Sequence, residues 1–257
     1  MAKRIAVITG ASSGMGREFA RQIDLLQQAD ELWLIARRDD ALREVAADLT
    51  TPARCLPADL TDAAARQAIA DALDAEAPLV THLVNAAGFG KFGDWRSIDE
   101  ADAEAMIELN CRALVALTRA CLPHMGRGSR LIQLCSASAF TPLPHLNVYA
   151  STKAFVLSYT RALRWELRGS GITATAVCPT WVKTRFEQVA RRSGAGQDVR
   201  HLLGAQEAST VVSRALAANR AHLAVATCSP QALGLRVLGK VLPHSVTMAG
   251  WDAVRRL

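Results

Sequence analysis

The chain has 257 residues, of which half are hydrophobic and 21% are charged, a composition that indicates a folded globular protein and excludes a disordered one. The formal net charge is +6, but the basic residues are dispersed with few aromatics between them, so we expect no nucleic-acid partner. Six scattered cysteines form no Cys-x-x-Cys pair. We therefore expect no metal, no disulfide framework and a reducing, cytoplasmic compartment. We also expect no signal peptide and no membrane span.

The first strand and the turn after it predict a phosphate-binding element. Residues 4–9 form a continuous apolar run, which is typical of a buried parallel strand. A glycine-rich turn follows, and a helix pattern runs over about 15–28. Between a strand and a helix, such glycines let the backbone approach a phosphate, whereas elsewhere they would form a plain loop. The expected cofactor-binding residues of this turn are Gly10, Ser12, Ser13, Gly14, Met15 and Gly16.

The end of the second strand, residues 31–36, carries Arg37 and Arg38. An acidic residue at this position would bind the ribose 2′-hydroxyl of NAD, whereas an arginine suits the 2′-phosphate of NADP. We therefore expect NADP(H), with NAD(H) the less favoured cofactor. The alternative is that both arginines are solvated loop charges, with Asp39 capping the next helix.

The remaining chain alternates strands with helices. Strands are expected over 53–58, 79–84, 130–135, 171–178 and 222–226, and helices over about 40–49, 62–75, 99–122, 148–167 and 206–219. This alternation predicts an α/β fold, a doubly wound parallel sheet with helices on both faces, in a single domain spanning 1–257. Ligands of such sheets bind beyond the carboxyl ends of the strands.

Tyr149 and Lys153 lie four residues apart in the predicted helix 148–167, so they share one helical face. A nearby ammonium group favours the phenolate, so we expect a lowered pKa for Tyr149. On spacing alone the pair is more often plain helix surface. Its interpretation as an acid/base pair depends on the residues that surround it.

Four motifs in this order resemble the short-chain dehydrogenase/reductase family in its compact single-domain, Rossmann-like form, over roughly residues 4–185. Residues 9–16 match its T-G-x-x-x-G-x-G turn, and residues 85–88 match its N-A-A-G segment. Tyr149 and Lys153 match Y-x-x-x-K, and Ser136 precedes the tyrosine at the usual spacing. Asn110 matches the asparagine of the preceding long helix.

The resemblance implies a catalytic set of four residues. Tyr149 would exchange a proton with the carbonyl or alcohol oxygen, and Lys153 would supply positive charge and hold the nicotinamide ribose. Ser136 would hydrogen-bond the substrate oxygen, with Ser138 as its competitor. Asn110 would hold a water that links the lysine to solvent.

The resemblance also extends the set of cofactor-binding residues. Asp59 would contact the adenine edge, and Thr184 would hydrogen-bond the nicotinamide carboxamide. One departure is visible, because Thr180 stands where the family usually has glycine after Pro179. The further expected cofactor contacts are Leu60, Asn85, Ala86, Ala87, Gly88, Tyr149, Lys153, Pro179 and Val182.

Two later segments are expected to shape the substrate site. Residues about 181–206 are a candidate lid, with a surface loop as the alternative. Residues about 230–257 form an amphipathic, basic tail that packs on the protein or a partner subunit, or contacts a membrane peripherally. The candidate pocket residues are mostly apolar: Phe89, Phe92, Trp95, Ala137, Phe140, Leu143, Leu146, Trp181 and Phe186.

These observations predict an NADP-dependent oxidoreductase that transfers a hydride between nicotinamide and a carbonyl or secondary alcohol. The apolar pocket favours a hydrophobic, hydroxysteroid-like or 3-oxoacyl-like small molecule. The alternative is a catalytically silent NADP-binding redox sensor. The resemblance further implies a homodimer or homotetramer that pairs through the long helices.

Overall fold

A seven-stranded parallel sheet organises the protein, as seen in a computed structural model that describes residues 2–184, 186, 190 and 204–255. The strand order is β3-β2-β1-β4-β5-β6-β7, and every neighbouring pair is parallel. The strands are β1 Arg4–Thr9, β2 Glu31–Ala36, β3 Ala53–Pro57, β4 Leu79–Asn85, β5 Arg130–Leu134, β6 Thr173–Cys178 and β7 Val225–Thr227. The predicted doubly wound α/β fold is confirmed.

Helices connect the strands on both faces of the sheet. They are α1 Gly14–Leu26, α2 Asp39–Ala47, α3 Ala63–Glu76, α4 Glu100–Ile107, α5 Leu114–Cys121, α6 Asn147–Glu166, α7 Ala208–Arg220, α8 Pro230–Val241 and α9 His244–Val254. One buried cluster packs α1, α2 and α7 on one face, and a second packs α3, α5 and α6 on the other. Alternate residues of β1 point to opposite faces, so Ile8 joins the first cluster and Val7 the second.

The predicted continuous helix 99–122 is wrong in its middle. A π-helical segment, Glu108–Ala113, separates α4 from α5 and contains Asn110. The Asn110 side chain is fully buried and bonds the backbone of Phe89 and the hydroxyl of Thr152. A π turn carries one residue more than an α turn, and such segments occur most often at functional sites.

The last predicted strand, 222–226, begins three residues too early. His222 has a φ of 54°, in the left-handed region, so the chain turns there before β7 starts at Val225. The ring of His222 pairs with Thr173 at 2.8 Å, and its carbonyl oxygen accepts a hydrogen bond from Arg164. These contacts hold His222 in a turn, which a strand-like pattern of apolar residues in the sequence does not reveal.

The C-terminal tail folds into α8 and α9 and packs against its own chain. The Trp251 indole donates a hydrogen bond to the carbonyl of Pro144, and Gly239 lies against the backbone of Phe140. Val237 and Val241 on α8 remain 52% and 72% exposed. The described helices include none long and apolar enough to cross a membrane. Peripheral membrane contact stays a prediction, and most of the predicted lid, 181–206, lies outside the described residues.

Candidate active site

A large cavity lies at the carboxyl ends of the strands, where the strand order reverses between β1 and β4. Its volume is about 1480 Å³. The turn after β1 and the segment after β4 form adjacent walls, because β1 and β4 are paired neighbours. Every predicted catalytic and cofactor-binding residue lines this cavity except Asn85 and Asn110.

The glycine-rich turn is shaped to accept a dinucleotide. Gly10 has a φ of +66°, and a Cβ added there would lie 2.9 Å from the backbone nitrogen of Ala87. A Cβ on Gly16 would lie 2.2 Å from the Gly10 carbonyl. Ser13 at the N-cap of α1 makes no side-chain capping bond, so the first-turn N–H groups stay available to an anion. The residues present therefore fit a bound pyrophosphate.

Asn85 lies beneath this wall and does not line the cavity, and its predicted cofactor contact stays a prediction. It is 2% exposed, and its side-chain nitrogen donates to Thr118. The adjacent backbone is held by Thr9, whose hydroxyl accepts hydrogen bonds from Ala86 and Ala87, both at 3.0 Å. Thr9 was not singled out in the sequence, since a strand-end threonine carries no special signal.

Asn110 clamps the loop after β4 to the helix that carries the tyrosine. Its oxygen accepts from the Phe89 amide at 3.1 Å, and its nitrogen donates to the Phe89 carbonyl at 2.9 Å. The same nitrogen donates to Thr152, whose hydroxyl donates to the Tyr149 carbonyl at 2.7 Å. Asn110 is thus linked to Tyr149 through Thr152, and its predicted role in catalysis stays a prediction.

Ser136, Tyr149 and Lys153 meet on the cavity wall. Burial raises the pKa of Tyr149, and a hydrogen bond with Ser136 opposes that rise. The expected lowering of this pKa is therefore wrong. The physical reason is that desolvation of the phenolate outweighs the attraction of a lysine whose nitrogen lies 5.7 Å from the ring centroid.

Lys153 is 4% exposed, and its ammonium donates to the Leu134 carbonyl at 2.9 Å. Burial lowers its pKa. A Cβ on Gly88 would lie 3.5 Å from this nitrogen, so the segment after β4 reaches the lysine closely. Ser138, the competitor of Ser136, donates its backbone N–H to the Ser136 hydroxyl, so it supports Ser136.

The far end of the cavity carries the predicted adenine contacts. Arg37 and Arg38 are exposed and line it, and neither makes a salt bridge to a described residue. Asp39 begins α2 and pairs with Arg43 instead of capping the helix through its own side chain. Hydrogen bonds from Thr61 hold the pKa of Asp59 below its usual range, so its carboxylate is charged at neutral pH.

The loop after β6 accommodates Thr180 at the position where the family usually has glycine. Thr180 is not among the described residues with a positive φ, so a side chain fits there. Its hydroxyl accepts a hydrogen bond from Gln206 at 2.8 Å, and Val182 forms a bridge with the same residue. Thr184 lines the cavity beside Gly14, whose added Cβ would lie 3.2 Å from it.

Seven of the nine predicted pocket residues line the cavity, but Phe140 and Trp95 do not. Phe140 packs against the cluster behind β5 and β6, and Trp95 is 72% exposed with Arg96 over its ring. Loop side chains have no periodic pattern, so the sequence does not reveal which way they point. The sequence did not predict Gly90 as a site residue, although a Cβ added there would lie 2.8 Å from the Tyr149 ring.

The chain belongs to the short-chain dehydrogenase/reductase family, because the family model for short chain dehydrogenases matches residues 4–195. It is therefore an oxidoreductase that takes a nicotinamide cofactor. The chain is 37% identical over 202 residues to sulfoacetaldehyde reductase 2 of Chromohalobacter salexigens, covering 75% of this chain and 77% of that one.

Two solved structures are similar over almost the whole chain. A short-chain dehydrogenase from Sphingobium yanoikuyae in complex with NADPH has a TM-score of 0.77 and 27% identity, covering 94% of this chain and 97% of that one. A short-chain dehydrogenase/reductase from Burkholderia phymatum in complex with NAD has a TM-score of 0.79 and 24% identity, with 92% of each chain covered. The second likeness concerns the fold alone.

Proposed function

We propose that the protein is an NADP-dependent carbonyl reductase or alcohol dehydrogenase for a mainly hydrophobic substrate. The observation that carries the proposal is the meeting of Ser136, Tyr149 and Lys153 at one wall of a cavity whose other end bears Arg37. The cofactor, when bound, supplies or accepts the hydride.

Within this proposal each side chain has a separate task. Tyr149 gives its proton to the carbonyl oxygen in reduction, and its raised pKa keeps that proton in place at neutral pH. Ser136 donates a hydrogen bond to the same oxygen as charge develops there. Lys153 holds the nicotinamide ribose, and the residues of the glycine-rich turn hold the pyrophosphate.

The preference for NADP rests on the two exposed arginines at the end of β2. Neither is used by a salt bridge to a described carboxylate, so both remain available to a 2′-phosphate. We expect Arg37→Asp to raise the KM for NADPH by about 10- to 100-fold, the value of one or two charged hydrogen bonds. Arg43→Ala is the matched control, because Arg43 is engaged with Asp39. An unchanged KM for NADPH in Arg37→Asp would contradict the assignment.

The hydrophobic substrate class rests on the wall opposite the cofactor turn. Phe92, Trp181 and Phe186 pack there as an aromatic cluster, and Phe186 lies 5.4 Å from the Tyr149 ring. The described cation nearest this cluster in sequence, Lys91, is paired with Asp102 at 2.9 Å. That ion pair neutralises the positive charge of Lys91, which a small anionic aldehyde would need for binding. We therefore favour an apolar ketone or alcohol as the substrate.

The test is oxidation of NADPH and of NADH with a panel of steroids, 3-oxoacyl thioesters, simple ketones and sulfoacetaldehyde. Turnover of the apolar ketones with NADPH supports the proposal. A preference for sulfoacetaldehyde would overturn the substrate class. Cofactor binding, followed by protein fluorescence, without turnover of any ketone would favour the silent redox sensor.

We also propose a homo-oligomer that pairs through α6 in a reducing cytoplasm. The outward face of α6 carries Phe155, 45% exposed and stacked on Tyr159, and Trp165, 65% exposed. Exposed aromatic side chains are enriched where proteins associate. All six cysteines are free thiols, which supports the compartment.

A further inference from the structure

The C-terminal helices close one side of the cavity. Leu235, Leu238 and Leu242 of the α8 segment line it at spacings of three and four residues, so one face of the helix forms a wall. Val246 and Trp251 of α9 continue that wall. The family model ends at residue 195, so these residues lie outside its match.

Apart from the exposed Gln231 at the start of α8, the polar side chains that line this wall are paired within the protein. The Trp251 indole donates to the Pro144 carbonyl at 2.8 Å. The hydroxyls of Thr141 and Thr247 hydrogen-bond each other at 2.5 Å. A ligand at this wall therefore meets mainly hydrocarbon, and polar ligand groups would lose water without gaining a partner.

The described residues leave the apolar face of α8 partly uncovered. Leu235 and Leu238 are 39% and 48% exposed although both line the cavity. Gly234 also lines it, and a Cβ added there would meet no atom within 4 Å. At Gly239, by contrast, an added Cβ would lie 2.3 Å from the Phe140 carbonyl. The helix α8 therefore packs closely against the protein at Gly239 and leaves open space at Gly234.

We propose that α8 and α9 form a chamber that binds the alkyl chain of the substrate while its carbonyl reaches Tyr149. The inference rests on the proposed function and names its substrate class as ketones, or the matching alcohols, with a long alkyl chain. Chamber and tyrosine belong to one cavity of about 1480 Å³. That exceeds the roughly 1,000 Å³ of large ligand pockets, so it has room for a chain beside a dinucleotide.

The test is a series of methyl ketones from 2-butanone to 2-decanone, reduced with NADPH. We expect kcat/KM to rise by about two- to fourfold per added methylene, as burial of each methylene in an apolar site predicts. Gly234→Leu fills the open space, so we expect the kcat/KM ratio of 2-decanone to 2-butanone to fall at least about tenfold. Val237→Leu, on the outer face of α8, is the control and keeps the wild-type ratio.

A binding measurement separates this inference from the proposed function. Tryptophan fluorescence reports 2-decanone binding without turnover, and we expect tighter binding to the wild type than to Gly234→Leu. If no ketone is reduced but this difference is seen, the reductase proposal fails and the chamber stands. If ketones are reduced with no dependence on chain length, or Gly234→Leu keeps the wild-type ratio, the chamber is overturned. Should Gly234→Leu not fold, Gly250→Leu fills the same cavity from α9.

Discussion

The floor and the roof of the cavity are held by different kinds of interaction. The floor, formed by the ends of β4 and β5, the π-helical segment with Asn110 and the start of α6, is built on buried polar groups. Asn110, Thr152 and Lys153 are at most 4% exposed, and each makes a hydrogen bond. The roof, formed by α8 and α9, presents half-exposed Leu238 and Val246 and is tied down by few polar contacts.

This difference indicates how one fold can hold the groups of its floor in a fixed arrangement while the shape of the wall that meets the ligand varies. Hydrogen bonds are directional, and an unsatisfied buried polar group costs about 1–3 kcal/mol, so the floor tolerates few arrangements. Apolar contacts are non-directional, and swaps that conserve volume cost less than about 1.5 kcal/mol. Substitutions in the floor should therefore affect the reaction, whereas those in the roof should affect which ligand fits.

The largest expected effect is that of Tyr149→Phe in the floor. The phenyl ring keeps its contact with Phe186, but the proposed proton donor is lost. We expect kcat for ketone reduction to fall by about 10²- to 10⁴-fold, the usual contribution of a general acid. Steady-state kinetics with NADPH measure it, and activity retained within about tenfold would refute the role.

The pH dependence of kcat/KM tests the proposed role of Tyr149 independently of any substitution. Because burial raises the pKa of Tyr149, the phenol stays protonated across neutral and mildly alkaline pH. We expect kcat/KM for reduction to stay flat from about pH 6 to 9, since the unperturbed tyrosine pKa is about 10. A decline that begins near neutrality would mean that the pKa of the acid is lowered when the cofactor is bound.

A smaller effect is expected from Thr152→Val, which tests positioning in the floor. The change leaves Asn110 without its Thr152 partner and removes the hydrogen bond to the Tyr149 carbonyl. We expect kcat to fall by about tenfold, equivalent to one hydrogen bond of about 1.4 kcal/mol.

Thr152→Ser keeps the hydroxyl and is the matched control, so it should restore most of the activity. The KM for the cofactor distinguishes positioning from general damage, because the Thr152 hydroxyl bonds Asn110 and Tyr149 and not the glycine-rich turn. An equal loss in Thr152→Ser, which keeps the hydroxyl, would contradict the assignment of the effect to these hydrogen bonds.

The smallest expected effect is that of Trp251→Phe in the roof. It removes the indole donor to the Pro144 carbonyl but keeps an aromatic ring in the wall. We expect a loss of about 1 kcal/mol in stability, or about 2–4 °C in Tm, measured by thermal unfolding. A fall in kcat larger than that of Thr152→Val would break the distinction between floor and roof.

Much of this arrangement could be predicted from the sequence, because the relevant signals are local. Continuous apolar runs such as 4–9 predicted the strands, and the glycines between a strand and a helix predicted the turn. The spacing of Tyr149 and Lys153 on one helical face predicted that both reach the same place, and both line the cavity. Each of these signals lies within a few consecutive residues, so it can be recognised without knowledge of the fold.

Other features depend on partners distant in sequence, and only the tertiary structure decided them. The π segment at Asn110 meets Phe89 and Thr152, and Asn85 turns away from the cavity to reach Thr118. The pKa of Tyr149 rises because side chains distant in sequence, such as Phe92 and Phe186, help to bury it. The sequence by itself thus determined which groups are the candidates for the chemistry. Long-range packing decided how these groups are held, how they ionise and which wall of the cavity faces them.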